Sequence, residues 1–385
     1  MKSEERAKSA IEDARDELIA LSHFIHDHPE LGYREFESSA ALIDQLVAWG
    51  FEVERDSAGL PTAFRATSGN GDLHVTFCAE YDALPDVGHA CGHNIIAASS
   101  LGAFLGVSAV ADELNLRVTL LGTPSEEGGG GKIDLINAGY FKDEHMALMV
   151  HPFPSDRLDA ICLAVDHFDV IFTGKEAHAS AAPWLGINAL DALTISQAAL
   201  GLLRQQLRPG DQFHGVVLEG GSAANIIPSR AVGRFMARAT TAGRLQELRE
   251  RVNACFAAGA LATGATLEIV ELGQQFSHME SDPDVLLHYR HAAESLGRDF
   301  HLDDEEAPRP TLSTDMANVS LVVPSIHPLL MIPTNGAINH QPEFTAAVVT
   351  PEADQAAIDG AVALAHTVIG VARDDALRQR LVSRS

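Results

Sequence analysis

LRVTLLGTPSEEGGGG (residues 116–131) opens as a strand and closes as a loop. Residues 116–121 are apolar and β-branched, the pattern of a short strand buried on both faces. The two glutamates and four glycines that follow sit where such a strand delivers its carboxyl end. LHVTFCAEYDALP (73–85) repeats the design, ending in acidic residues and a proline, and HMALMVHPFP (145–154) gives a third version that ends at His151. A helix-like segment at 94–110 lies between the first two. The chain therefore reads as α/β, with a mixed or parallel sheet flanked by helices. In such sheets ligands bind beyond the carboxyl ends of the strands, so the three polar clusters are expected to meet at one rim.

Outside this core the rhythm changes. Helix patterns occupy 4–27 and 35–49, the second closed by Gly50 in the position favoured after a helix end. In the middle, strand patterns at 161–173, 213–219, 231–239 and 265–272 surround helix patterns at 187–206 and 243–258. That order is β-α-β-β-α-β, the ferredoxin-like arrangement. It predicts an inserted domain at 166–278, with a discontinuous domain formed by 1–165 and 279–385. Helix patterns at 281–297 and 351–370 return to the first domain.

The net charge is −26, from 27 basic and 53 acidic side chains. Such a field repels phosphate backbones and argues against a nucleic-acid partner. No run of eighteen apolar residues occurs, so no membrane span is expected. The first helical stretch is charged and lacks the apolar core of a signal peptide, which makes a cytoplasmic location the expectation. Four scattered cysteines (Cys78, Cys91, Cys162 and Cys255) do not form a disulfide framework.

Cys91 stands apart, because DVGHACGHN (86–94) sets it two residues from His93 among glycines. A thiolate and an imidazole at this range suit a borderline-soft divalent ion such as zinc, while the plain alternative is a turn with a buried cysteine and surface histidines. Glu126 and Glu127 are adjacent, so their side chains cannot share a direction. One can bind metal while the other faces substrate. GTPSEEGGGGK is not a phosphate-binding loop, since Ile133 follows Lys132 and Glu126 stands where the required glycine would be. The glycines are read as letting the backbone pass close beneath the metals. With His151 and with His340 in GAINHQPEF, five candidate ligands exceed what one four-coordinate zinc needs and fit a metal pair that activates water.

These residues resemble a known family, the two-metal aminoacylase and carboxypeptidase-type exopeptidases. The likeness extends over nearly the whole chain through HPELGYREFESS (28–39), EYDALPDVGHACGHN (80–94), GTPSEEGGGGK (122–132), GKEAHASAAPWLGINAL (174–190), NIIPSR (225–230), STDMANVSLVVPSIHP (313–328) and NHQPEF (339–344). Within the family it is nearest the p-aminobenzoyl-glutamate hydrolases and β-alanyl-lysine dipeptidases, rather than the auxin-conjugate and hippurate hydrolases. The resemblance implies a mixed-sheet catalytic domain with an inserted ferredoxin-like lid that also dimerises. It makes Cys91, His93, Glu127, His151 and His340 metal ligands, with the Cys91 sulfur bridging, and Glu126 the general base. Asp82 and Glu80 stand where many relatives carry a metal-binding histidine and a supporting aspartate; Asp82 is read as orienting a ligand histidine, with Glu80 beside it. His178 matches a histidine that stabilises the oxyanion and in related dimers can come from the neighbouring subunit. Asn225 and Arg238 match positions that hold the substrate's carboxylate.

The expected activity is hydrolysis of the amide bond in N-acyl amino acids or dipeptide-like substrates. Two divalent ions would serve it, zinc or manganese first, with cobalt or nickel as alternatives, in a homodimer joined through the inserted domain. The competing readings are a non-peptide reaction at the same site, such as deamination of an aromatic amine, and a binding protein with a degenerate site. The last predicts a missing ligand or base, and no matched position lacks its residue.

Overall fold

The computed structural model describes residues 2–384 and divides into two compact units. One runs to Ile161 and resumes at Met279, and the other is Cys162–His278. The insert thus begins four residues before the expected 166, because its first long strand already starts at Ala164.

The chain opens with helices α1 (Ser3–Asp13), α2 (Arg15–Asp27) and α3 (Phe36–Ala48). The pattern at 4–27 is therefore two helices, broken at Ala14, whose ψ of 10° leaves the helical range. Strands β1 (Val53–Arg55) and β2 (Phe64–Ser68) come next, then β3 (Leu73–Ala79), α4 (His93–Ser108), β4 (Leu116–Gly122) and α5 (Gly131–Asn137). β5 (Met146–Leu148) and β6 (His151–Phe153) follow. The six-stranded sheet has the order β1-β2-β4-β3-β5-β13, where β13 is Ser325–Ile326. β3, β4, β5 and β13 run parallel, while β1 and β2 add an antiparallel edge.

Register places the site. Ala79 of β3 lies beside Gly122 of β4, and Phe77 beside Leu148 of β5, so the polar segments after all three strands leave the same edge. The stretch at 145–154 is not one strand. It breaks after Leu148, and His151 opens β6, which pairs with β14 (Leu329–Met331) in a separate two-stranded sheet. His151 therefore begins a strand rather than ending one.

Helix α4 is covered on nearly every side. All but two of its sixteen residues are buried, from His93 at its first position to Val107. A helix apolar all round belongs in the middle of a core, and here α1, α2 and the long helix Pro351–Arg373 cover it opposite the sheet. That long helix is sufficiently apolar and extended to cross a membrane, yet 78% of its most apolar window is buried in this core.

The insert is a four-stranded antiparallel sheet of order β11-β8-β10-β9, with β8 Ala164–Thr173, β9 Gln212–Glu219, β10 Arg230–Ala239 and β11 Thr266–Glu271. Helices α6 (Ala189–Leu203) and α7 (Ala242–Thr263) cover one face through Phe168, Val170, Phe172, Phe235 and Phe256. The chain order is the β-α-β-β-α-β read from the sequence.

Candidate metal centre and active site

Each site residue in the first unit is set by a strand end or a helix start. After β3 the chain stays buried through Glu80, Tyr81 and Asp82. Gly92, in the left-handed region at φ 79°, turns the backbone so that His93 becomes the first residue of α4 rather than part of a loop. After β4, Ser125 takes φ 59°, uncommon for a residue with a side chain, and presents Glu126 and Glu127. His340 also has a positive φ of 72°, and its backbone N–H donates to the Ala90 carbonyl at 2.8 Å, tying the last ligand to the Cys91 loop.

The five predicted ligands and the predicted base come together. Cys91 Sγ is 3.5 Å from His151 Nε2 and 3.7 Å from His340 Nε2. His340 Nε2 is 3.7 Å from Glu127 Oε2, and His93 Nε2 is 3.9 Å from both Glu126 Oε2 and Glu127 Oε1. Ligand atoms of Cys91, His93 and His151 all lie within 4.8 Å of one another, and so do those of Cys91, Glu127 and His340. The sulfur belongs to both groups and would be shared by ions held in them. A third group unites Glu80, His93 and Glu126.

These donors fit a pair of divalent ions. With bonds of about 2.0–2.3 Å, two ligands of a tetrahedral ion stand about 3.3–3.8 Å apart. The measured separations fall in or near that range. Glu80 Oε2, His93 Nε2 and Glu127 Oε1 are buried without a hydrogen-bond partner among the described residues. Their lone pairs face one another, an arrangement that costs free energy unless a cation stands between them.

The supporting bonds fix which atom each ligand offers. Asp82 Oδ1 lies 2.9 Å from His93 Nδ1, so the ring proton is spent there and Nε2 is left as the donor of electrons. The other Asp82 oxygen accepts the Glu127 backbone N–H at 3.0 Å, so one carboxylate orients both a ligand histidine and the glutamate loop. His151 Nδ1 bonds the Pro152 carbonyl at 2.9 Å and frees Nε2 toward the sulfur. Burial pushes the Glu126 carboxyl well above its usual range, aided by the nearby Glu80 and Glu127 charges. Burial likewise raises Glu127 and the Cys91 thiol, and lowers His151 to about 3. Burial thus holds Glu126, Glu127, Cys91 and His151 toward their neutral forms, whereas the mutually paired Glu80, Asp82 and His93 are held toward their charged ones.

Two of the four glycines in 128–131 are required by close packing within the loop. A Cβ on Gly129 would lie 2.1 Å from Ser125 Oγ and 2.2 Å from Tyr33 Cε2, and one on Gly131 would lie 2.0 Å from the Pro124 carbonyl oxygen. They make room for the loop to fold on itself and for Tyr33 to lie against it.

Three contributors escaped the sequence reading. Lys132, the last letter of GTPSEEGGGGK, is fully buried and bonds Glu80 and Asp315. Asp315 sits inside the quoted STDMANVS motif without an assigned role. Glu35 is buried in the HPELGYREFESS motif and accepts the Ser125 N–H at 2.8 Å, bracing the residue before the predicted base.

In the inserted unit His178 and Asn225 lie on adjoining loops, with the Ala179 N–H donating to the Asn225 carbonyl at 3.0 Å. His178 Nδ1 accepts from the backbone N–H groups of Ser180 at 3.3 Å and Ala181 at 3.1 Å. Neutral His178 therefore carries its proton on Nε2, exposed and ready to donate. Arg238 is not with them. It pairs with Val165 at one end of β10, whereas Arg230 pairs with Thr173 at the other, beside the His178 loop. Eight residues of strand put the two ends about 26 Å apart.

Comparison with known proteins agrees with this geometry. Residues 76–366 match peptidase family M20/M25/M40. The Xaa-Arg dipeptidase of Mus musculus is 38% identical over 385 residues, covering 95% of this chain and 88% of its own. A p-aminobenzoyl-glutamate hydrolase polypeptide of Escherichia coli strain K12 is 30% identical, covering 67% of this chain and 58% of its own. Among solved structures, a dinuclear metal-binding peptidase of Bacillus subtilis superposes with a TM-score of 0.70 at 21% identity, covering 93% of this chain and 99% of that one. With these ligands at one sheet rim and the match spanning most of its length, the chain belongs to peptidase family M20/M25/M40.

Proposed function

We propose that this metal-dependent amidohydrolase is a dipeptidase that hydrolyses dipeptides with a basic carboxyl-terminal residue. One observation carries the chemistry: Glu126 is a buried carboxylate facing the same space as His93, Glu127 and the shared Cys91 sulfur, without being needed as a ligand by either metal group that contains Cys91. When bound, the metal pair, zinc or manganese, supplies Lewis-acid activation of the amide carbonyl and of the attacking water. Glu126 accepts the proton of that water as the carbonyl is attacked and returns it to the leaving amine nitrogen. Asp82 keeps the His93 ring and the Glu127 backbone in register throughout. By the resemblance, the His178 Nε2–H, from this subunit or its neighbour, would donate to the carbonyl oxygen as it gains charge, and Asn225 would hold the substrate's carboxylate.

Two facts support a basic substrate. The 38% identical relative is named for cleavage before arginine. The net charge of −26 favours approach of a cation over a glutamate conjugate. A dimer through the insert is supported by β9, an edge strand on which Val216, Val217 and Leu218 are 58, 45 and 53% exposed.

Glu126→Gln is expected to keep both metals and lower kcat by roughly 1,000-fold or more, on the scale of the proton-transfer contribution. Normal turnover by that variant would remove the role. The substrate class is tested by kcat/KM on Xaa-Arg and Xaa-Lys dipeptides against p-aminobenzoyl-glutamate and N-acetyl amino acids. A preference for the glutamate conjugate would overturn the basic-dipeptide reading.

A further inference from the structure

Lys132, Glu80 and Asp315 form a dry ionic triad below the metal pocket, with all three residues 0% exposed. The ammonium lies 2.5 Å from Glu80 Oε1 and 2.6 Å from Asp315 Oδ1, and the Lys132 backbone N–H donates to Asp315 Oδ2 at 3.0 Å. As a purely structural tie this would join the end of β3, the start of α5 and the helix Met316–Ser320. Three features do not fit so plain a role.

One ammonium faces two carboxylates, so the triad carries a net negative charge where water does not reach. A buried charge of that kind needs a counter-charge. Glu80 also spends only one oxygen on Lys132. Its other oxygen, Oε2, is buried, has no hydrogen-bond partner among the described residues, and lies 3.5 Å from His93 Nε2. Asp82 takes the Nδ1 proton of the neutral ring, so Nε2 is the atom that His93 offers to a cation. Two electron-donating atoms thus face each other at the separation expected of two ligands on one tetrahedral ion, about 3.4 Å. Finally, Glu80, His93 and Glu126 form a ligand group distinct from the two that contain Cys91.

The structure assigns Glu80 Oε2 as a further ligand of the ion that His93 binds, with Lys132 and Asp315 as the residues that position it. This rests on the two-metal reading above and adds to it an inequality between the sites. The ion at His93 gains an anionic ligand locked by a buried lysine. The ion at Glu127 shares His340, whose side chain is 59% exposed. The first site is the tighter.

The test is titration of the chelator-stripped full-length protein with Zn(II) and, separately, Co(II), under competition with a chelator of known affinity. Wild type is expected to bind two ions with separable affinities. Glu80→Gln leaves the Lys132–Asp315 pair neutral, so the fold is retained. It is expected to weaken the tighter site by about 100-fold or more, beyond the effect of losing a residue that only supports a ligand. The looser site should move by no more than about threefold, and the Co(II) absorption of the first ion should change in position and intensity. Lys132→Met should produce the same loss, and Lys132→Arg should restore most of it. Should Glu80→Gln not refold, Glu80→Asp withdraws the carboxylate by one methylene and must weaken the same site. Wild-type affinities with an unaltered Co(II) spectrum in a folded Glu80 variant would overturn the assignment, even if the melting temperature fell. A wild-type protein that binds no ion would overturn the metal reading itself.

Discussion

At the scale of single residues, Glu35 shows how the motif at the chain's start serves the catalytic loop. Its carboxylate accepts the N–H groups of Tyr33 and Ser125 and the Thr62 hydroxyl, at 2.9, 2.8 and 2.8 Å. Burial, with the nearby Asp82 charge, nevertheless raises its pKa from 4.5 to about 7. The folded chain therefore holds a proton here that the unfolded chain has released between those two values. This group's contribution to stability is complete below pH 4.5 and is lost as pH rises through 7, where the loss reaches about 3 kcal/mol at about 1.4 kcal/mol per pH unit. Glu35→Gln does not titrate. Its stability relative to wild type should rise by about 3 kcal/mol between pH 4.5 and pH 8, as read by denaturant unfolding at each pH. A difference that stays flat across that range would mean Glu35 is ionised throughout. That Glu126 and Glu127 belong to the cluster was legible in sequence, because they close a buried strand beside the other candidate ligands. Glu35 and Lys132 were not, since a carboxylate or an ammonium within a motif reads as solvated surface until the fold shows what buries it.

Elements tell the same story through backbone geometry. The buried parallel strands were legible because continuous apolar runs ending in polar residues have few other readings. The β1–β2 pair was not, because its strands are short and broken by charges at Glu54, Arg55 and Arg65. The break after Leu148 was hidden for a different reason. Residues 146–152 remain apolar apart from His151, and only the pairing of β6 with β14 separates the two strands. The four glycines looked equivalent and are not. Gly128 has nothing within 4 Å of an added Cβ, whereas a Cβ on Gly129 would run into Ser125 and Tyr33. Gly128→Ala should therefore leave kcat and stability near wild type. Gly129→Ala should cost about 1–3 kcal/mol through forced displacement of packed neighbours. It should also lower kcat roughly 10–100-fold, as expected when a loop carrying the base moves by about an ångström. Equal effects of the two substitutions on kcat and on denaturant stability would show that the loop tolerates a methyl group anywhere and that the packing on Ser125 does not place Glu126.

For the whole molecule, the acidic excess has a consequence no single contact carries. At −26 the summed field attracts a cationic substrate over distances longer than any contact in the site, and salt screens that attraction with a Debye length of about 10 Å at 0.1 M and about 3 Å at 1 M. Steering acts on encounter, so it enters kcat/KM rather than kcat. For an Xaa-Arg dipeptide, kcat/KM should fall severalfold as ionic strength rises from about 0.01 to 0.5 M, while kcat stays within about twofold. For a glutamate conjugate the slope should reverse, since screening then relieves repulsion. The comparison needs only two substrates of opposite charge under one set of metal and buffer conditions. It separates the global field from the local pocket: a pocket that alone selects for arginine would give the same preference with no salt dependence. Parallel slopes for both substrates would place specificity wholly in contacts at the site, and would leave the charge of the chain without a part in choosing what it cleaves.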